Sequence, residues 1–327
     1  MPRNSIRRSE SVPAGAYDAL LDREIRAFIA RTDEWYPPET LDLPIEKQRE
    51  IYNAMCRAFH PGMPAGVGSS DSFVEAPDRR LRIRRYRIAG KQPAAAILYY
   101  HGGGFVLGDL ESHDDVAAAL CAGTACEVVS VDYRLAPEHP HPAAFDDACA
   151  VFDWAVATHS QPLLLCGESA GGNLAAAVAH ARRRHPRAAI GQVLIYPSLA
   201  SGMRGRSYRK HAEAPMLTLR DLAIYRQLRL AGKEAAKDPR LAPLDDGDFT
   251  SLPATVIVTA ECDPLSSDGE AYRDRIVAAG GRAWWREERG LVHSFLRART
   301  TSRRARQSFE RIAAAITALG KGVWPYP

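Results

Sequence analysis

From residue 94 onward the chain alternates short apolar runs with longer stretches in which apolar residues recur every three or four positions. The runs cover residues 95–100, 127–131, 163–166, 192–196 and 255–259. Apolar runs of this length suit strands buried on both faces of a parallel sheet. Helical periodicity marks residues 113–122, 142–158, 170–184 and 267–279 between them. Strand and helix in alternation predict an α/β fold with a mostly parallel central sheet flanked by helices. Residues 282–286 read as one more strand and 301–319 as a closing helix. Upstream, residues 81–88 read as an exposed, Arg-rich strand. Two amphipathic stretches, 16–32 and 45–59, open the chain, split by Trp35-Tyr36-Pro37-Pro38, where proline removes a backbone donor and stops a helix. One segment breaks the rhythm: 198–248 has helical pieces and no strand, and it separates two strand candidates. The expected organisation is a single domain over 1–327, with a helical cap built from about 1–65 plus an insertion at about 198–248. No internal repeat and no low-complexity tract interrupts it.

Composition narrows the function classes. The 43 Lys and Arg against 39 Asp and Glu leave a net charge of +4, spread along helical stretches, which gives no footprint for nucleic acid. No window approaches the roughly 18 apolar residues that span a bilayer. Residues 1–15 carry arginines but no apolar core of a secretory signal, so the cytoplasm is the expected location. The six cysteines, at 56, 121, 126, 149, 166 and 262, form no CxxC pair and no zinc spacing, and read as reduced, buried thiols. No metal and no organic cofactor is expected. His211-Ala212-Glu213 imitates half of a zinc deaminase signature, but no P-C-x-x-C follows it.

The chemistry lies in three places. Gly167-Glu168-Ser169-Ala170-Gly171-Gly172 matches G-x-S-x-G between an apolar strand and a helical run. A nucleophilic serine needs a sharp strand-to-helix turn that pushes its hydroxyl clear of the sheet, and flanking glycines avoid clashes there. His101-Gly102-Gly103-Gly104-Phe105 directly follows the strand at 95–100. A glycine-rich loop lets backbone N–H groups reach an oxyanion unobstructed, so Gly103 and Gly104, with the amide of Ala170, are the candidate oxyanion donors. Of ten histidines, only His293 follows the last strand candidate and precedes the closing helix, as the order Ser, then Asp or Glu, then His requires. The acid should lie between them beyond a strand end. Asp263, before Pro264, is the choice; Glu261 and Asp268 compete.

With these segments in place the chain resembles the hormone-sensitive-lipase-like family of esterases, and particularly its bacterial acetyl esterase branch. The likeness rests on HGGGFVLGDLESHD from His101, DYRLAPEHPHPAAFDD from Asp132, GESAGGNLA from Gly167, ECDPLSSDGEAY from Glu261 and LVHSF around His293. It implies an α/β-hydrolase fold and hydrolysis of short acyl esters, acetyl to hexanoyl, without cofactor. It also implies that 132–140 braces the oxyanion loop and that a helical cap shapes the acyl pocket. Glu168 stands where Asp is commoner, and Ser294 where Gly is common. The expected partner is a small-molecule ester, with no nucleic acid or membrane, and the chain acts as a monomer or homodimer. An amidase or arylformamidase with the same triad is the nearer alternative. A non-catalytic ligand receptor on this scaffold is the other, and three filled triad positions argue against it.

Overall fold

The computed structural model describes Gly15 and residues 17–233 and 237–327. The expectation of no leader over 1–15 therefore falls, Gly15 apart, outside the described residues, as do Ala16 and residues 234–236 of the expected insertion.

The opening amphipathic stretch forms two helices, α1 (Tyr17–Leu20) and α2 (Arg23–Trp35), because Asp22 intervenes as an N-cap and accepts from the Ile25 N–H at 2.9 Å. Helix α3 (Ile45–Phe59) follows. Strands β1 (Val67–Ala76) and β2 (Arg79–Ile88) form a hairpin. Then come β3 (Ala96–Tyr100), α4 (Asp114–Thr124), β4 (Glu127–Val131), α5 (Ala143–Thr158), β5 (Leu163–Glu168), α6 (Ala170–Arg182) and β6 (Gly191–Ile195). Helices α7 (Arg206–Lys210) and α8 (Leu219–Arg229) interrupt the alternation, which resumes with β7 (Ala254–Cys262), α9 (Ser266–Ala278), β8 (Ala283–Val292) and α10 (Arg303–Gly320).

The strands make one sheet in the order β1-β2-β4-β3-β5-β6-β7-β8. Strand β2 runs antiparallel to both its neighbours, and every pair from β4 to β8 is parallel. Period-two alternation divides the core. Ile97, Tyr99 and Val128 pack with α4 and α10 on one face, through Val116, Leu120, Ile312 and Ile316. Ala96, Leu98, Tyr100, Val129 and Val131 pack with α5, α6 and α9 on the other, through Phe152, Leu174 and Ile276. Each fully buried Val, Leu, Ile or Phe among them stabilises the fold by roughly 1.5–3 kcal/mol. Because α4 lies on one face and α5 on the other, the strand order runs in opposite directions on either side of the β3–β5 pair, and a crevice opens at their carboxyl ends.

Strand β1 has no counterpart in the sequence reading. It is an edge strand whose residues are mostly solvent-facing, with only Val74 buried, so it carries no apolar run. Strand β8 runs six residues beyond the predicted 282–286, through a charged segment. Its Glu288 is buried because Arg311 holds it with contacts of 3.0 and 2.7 Å. All six cysteines are free and buried. No helix among the described residues is long and apolar enough to cross a membrane.

Candidate active site

Four strand ends deliver the predicted residues to one crevice. Tyr100 pairs with Gly167 and Glu168 with Ile195, so the glycine loop, at Gly102, and Ser169 emerge side by side from β3 and β5. On β7 and β8 the ladder shifts: Ala260 pairs with Glu288, but Cys262 pairs with Val292. This bulge gives β8 two extra residues and levels Val292 with Cys262, so the residue after each, His293 and Asp263, meet. Glu261 is a strand residue, not a loop carboxylate, and its Oε2 accepts the Gly290 N–H at 2.7 Å inside the bulge. Asp268, in the first turn of α9, accepts from the N–H groups of Leu199 and Ala200 and from the Tyr208 hydroxyl. Both competing carboxylates are thus engaged elsewhere, and Asp263 is the one at the histidine.

Ser169 adopts φ 53 and ψ −117, a backbone region that non-glycine residues rarely enter and that costs on the order of 1–3 kcal/mol. The turn is held because α6 lies hard against β3: a Cβ on Gly171 would fall 1.9 Å from the Tyr100 carbonyl oxygen, so only glycine fits. The Ser169 N–H donates to the Ile195 carbonyl at 2.9 Å. Its Oγ lies 2.9 Å from His293 Nε2, and His293 Nδ1 lies 2.7 Å from Asp263 Oδ2. The wholly buried Asp263 also accepts the Leu265 N–H through Oδ1 at 2.8 Å. A carboxylate only accepts, so Nδ1 carries the imidazole proton and Nε2 offers its lone pair to the serine hydroxyl. Ser294 takes a left-handed conformation at φ 61, which accounts for glycine being common at that position.

The loop after β3 turns tightly. The Gly103 carbonyl accepts from the N–H groups of Val106 and Leu107 at 3.0 and 2.8 Å, and Gly103 has φ +119. The N–H groups of Gly103, Gly104 and Ala170 have no hydrogen-bond acceptor among the described residues. The stretch after β4 holds the loop at two points: the Tyr133 hydroxyl donates to the His101 carbonyl at 2.7 Å, and the Ala136 N–H to that of Phe105 at 2.8 Å. His101 stacks between Tyr133 and His113, with ring centroids at 4.3 and 5.1 Å. Burial, reinforced by the neighbouring His113, pushes its pKa down to about 3, so the ring stays neutral and its Nδ1–H donates to the Gly102 carbonyl at 2.7 Å.

Above Ser169 lies a cavity of about 520 Å³, within the range of small-molecule sites. Ile29, Tyr36 and Met55 line it from the N-terminal helices, and Met203, Met216 and Tyr225 from the segment between β6 and β7. Sequence reasoning gave no role to three contributors. Tyr225 abuts Gly104. The buried Arg229 lies 3.4 Å from the centroid of Phe105 and donates to the Leu241 carbonyl and to Asn173 Oδ1. Glu168 sits behind the nucleophile; burial would raise its pKa, but the His113 hydrogen bond and the Arg297 charge hold it below the usual carboxylate range. The first two lie on a helix without a motif, and only the departure from the commoner Asp singled out the third. Among the described residues no group of three His, Cys, Asp or Glu side chains could hold a metal ion.

A family model described as the alpha/beta hydrolase fold matches residues 97–297, from β3 past His293. The carboxylic ester hydrolase LipN of Mycobacterium tuberculosis is 35% identical over 269 residues, covering 78% of this chain and 71% of that protein. Esterase LipI of the same organism is 38% identical over 240 residues, covering 69% and 74%. Among solved structures, the hyperthermophilic esterase of the archaeon Pyrobaculum calidifontis superposes with a TM-score of 0.85 at 30% identity, covering 91% of this chain and 98% of that one. The fold, the chain order of its motifs and these relatives agree: the chain belongs to the hormone-sensitive-lipase-like family of α/β-hydrolase-fold esterases and is a carboxylic ester hydrolase.

Proposed function

We propose that the chain hydrolyses short-chain acyl esters, acetyl to hexanoyl, through an acyl-enzyme on Ser169. The observation that carries this reading is the unbroken chain of contacts Ser169 Oγ–His293 Nε2 and His293 Nδ1–Asp263 Oδ2, at 2.9 and 2.7 Å. His293 takes the hydroxyl proton as Ser169 attacks the ester carbonyl, and Asp263 stabilises the resulting imidazolium. The N–H groups of Gly103, Gly104 and Ala170 receive the oxyanion. The imidazolium then protonates the departing alcohol, and a water activated by the same imidazole releases the acid.

Residues up to about 65 and the insertion at about 198–248 act as a cap that sets the length of the acyl pocket, a reading supported by the cavity side chains both segments supply. Six free buried thiols fit the reducing cytoplasm. The enzyme works as a monomer or homodimer, the reacting groups all lying on one chain.

The test is hydrolysis of p-nitrophenyl esters from acetate to decanoate by wild type and Ser169→Ala. Turnover fastest on the short esters, and lost by roughly a million-fold in the variant, is expected. Turnover that survives the substitution would remove Ser169 from the mechanism.

A further inference from the structure

Immediately before the nucleophile stands a buried carboxylate that takes no part in the proton transfers. Glu168 is 5% exposed, and its two oxygens face three partners. Oε1 accepts from the Tyr99 hydroxyl at 2.9 Å and lies 3.1 Å from His113 Nε2, and Oε2 accepts a short bond from the Tyr196 hydroxyl. Each partner belongs to a different part of the site. The Tyr196 ring packs 4.8 Å from the His293 imidazole, centroid to centroid. His113 stacks at 5.1 Å on His101, which opens the glycine loop. Tyr99 lies on the strand that delivers that loop. Arg297, four residues past His293, closes the cluster: its Nη2 lies 3.2 Å from His113 Nε2 and donates to the Tyr52 hydroxyl at 2.8 Å, and its Nη1 donates to the Ser112 carbonyl at 3.2 Å.

Burying a carboxylate and a guanidinium is costly, and apolar side chains of similar volume would fill this space at lower cost. What the charged cluster supplies is direction, because hydrogen bonds from three elements converge on one rigid group. We propose that Glu168 is a positioning residue for acyl transfer, holding the serine turn, the ring behind His293 and the histidine behind the oxyanion loop in register through one carboxylate. This rests on the Ser169–Asp263–His293 reading. Glutamine in its place keeps the length but offers one acceptor oxygen where the cluster uses two. Released from its hydroxyl's anchor, Tyr196 lets the imidazole drift, and a displacement of about 1 Å costs roughly 100-fold in rate.

The test is steady-state kinetics on p-nitrophenyl butyrate for wild type, Glu168→Gln, Tyr196→Phe, the double variant and Ser169→Ala, each with its thermal midpoint. Glu168→Gln should lower kcat by roughly 10- to 100-fold with KM changed less than about three-fold, the signature of misplaced groups rather than lost binding. Tyr196→Phe should lower kcat less. The double variant should fall no more than about two-fold below Glu168→Gln, because the two act through one contact. A folded Glu168→Gln protein with kcat within about three-fold of wild type would overturn the proposal, as would losses that simply multiply. Should Glu168→Gln not fold, Tyr196→Phe decides alone: it keeps carboxylate and ring, and an unchanged kcat overturns the proposal. Activity retained in Ser169→Ala would instead defeat the underlying triad.

Discussion

Gly104 offers the sharpest test of the oxyanion loop, because the obstacle to a side chain there is a single ring. Gly104 has φ +64, and a methyl on it would meet Tyr225 Cγ at 2.6 Å and both Cδ atoms at 2.9 Å. Carbon atoms ordinarily rest about 3.5–4.0 Å apart, so ring and loop must separate by about 1 Å. The left-handed conformation itself adds only about 1–2 kcal/mol for alanine. Tyr225 is held within α8 against Tyr36, so the loop gives way and carries the Gly104 N–H off the oxyanion. A reacting-group displacement of this size costs roughly 100-fold, and complete loss of one donor on the order of 100- to 1,000-fold. Gly104→Ala should therefore lose about 100-fold in kcat on p-nitrophenyl acetate with little change in KM. Adding Tyr225→Ala removes the obstacle and should restore about ten-fold or more, judged against Tyr225→Ala alone. Gly103→Ala supplies the contrast, since its methyl would strike the Leu107 carbonyl oxygen at 2.1 Å, and truncating Tyr225 cannot relieve a backbone clash. If Gly104→Ala keeps a third of wild-type kcat, or if Tyr225→Ala rescues both glycine variants alike, the steric argument is wrong.

Two further outcomes follow from distances already described. Asp263→Asn keeps the shape but can offer an N–H to His293 Nδ1, selecting the tautomer that cannot accept from Ser169; kcat near neutral pH should fall on the order of 10⁴-fold, and a loss under ten-fold would exclude Asp263 as the orienting group. Glu127, buried on β4, has its pKa lowered to about 2: burial opposes the shift, but contacts from His159, Arg87 and Arg85 outweigh it. Because the folded state holds this carboxylate ionised below the range of about 4.5 expected when unfolded, its stabilisation is present above pH 4.5 and lost as pH falls towards 2. Glu127→Gln should cost about 2 kcal/mol at pH 6, after screening at the half-exposed Arg87, and urea unfolding should show the gap to wild type closing as pH falls from about 4.5 towards 2. A gap that stays constant with pH would show that charge is not its source.

The buried strands were readable because a parallel sheet covered on both faces leaves no polar alternate. Strand β4 has the predicted bounds, 127–131, and β3 begins one residue later than expected. Edges are where the pattern fails. Strand β1 is held by a hydrogen-bonded ladder rather than by burial, and the middle of β8, Arg286–Arg289, is charged, so neither shows a continuous apolar run. The first predicted helix divides at Asp22 because a side-chain cap outweighs continuous amphipathic spacing.

The site divides in the same way, and the reason is range. Ser169 and the glycine loop could be read off because each needs particular residue types at a local spacing beside a strand end, and His293 because chain order leaves it alone between the last strand and the closing helix. The partners that steady them come from far along the chain: Tyr52 reaches Arg297 across 245 positions, Tyr99 reaches Glu168 across 69, and Tyr225 meets Gly104 from a helix with no motif. Even the meeting of Asp263 with His293 depends on a two-residue shift between β7 and β8 that no local pattern announces. Were β8 regular beyond Glu288, Gly290 rather than Val292 would level with Cys262, and His293 would lie two residues, roughly 6–7 Å, past Asp263 and beyond hydrogen-bond reach. Motif and chain order pick out the proposed reacting groups, and strand register brings them together.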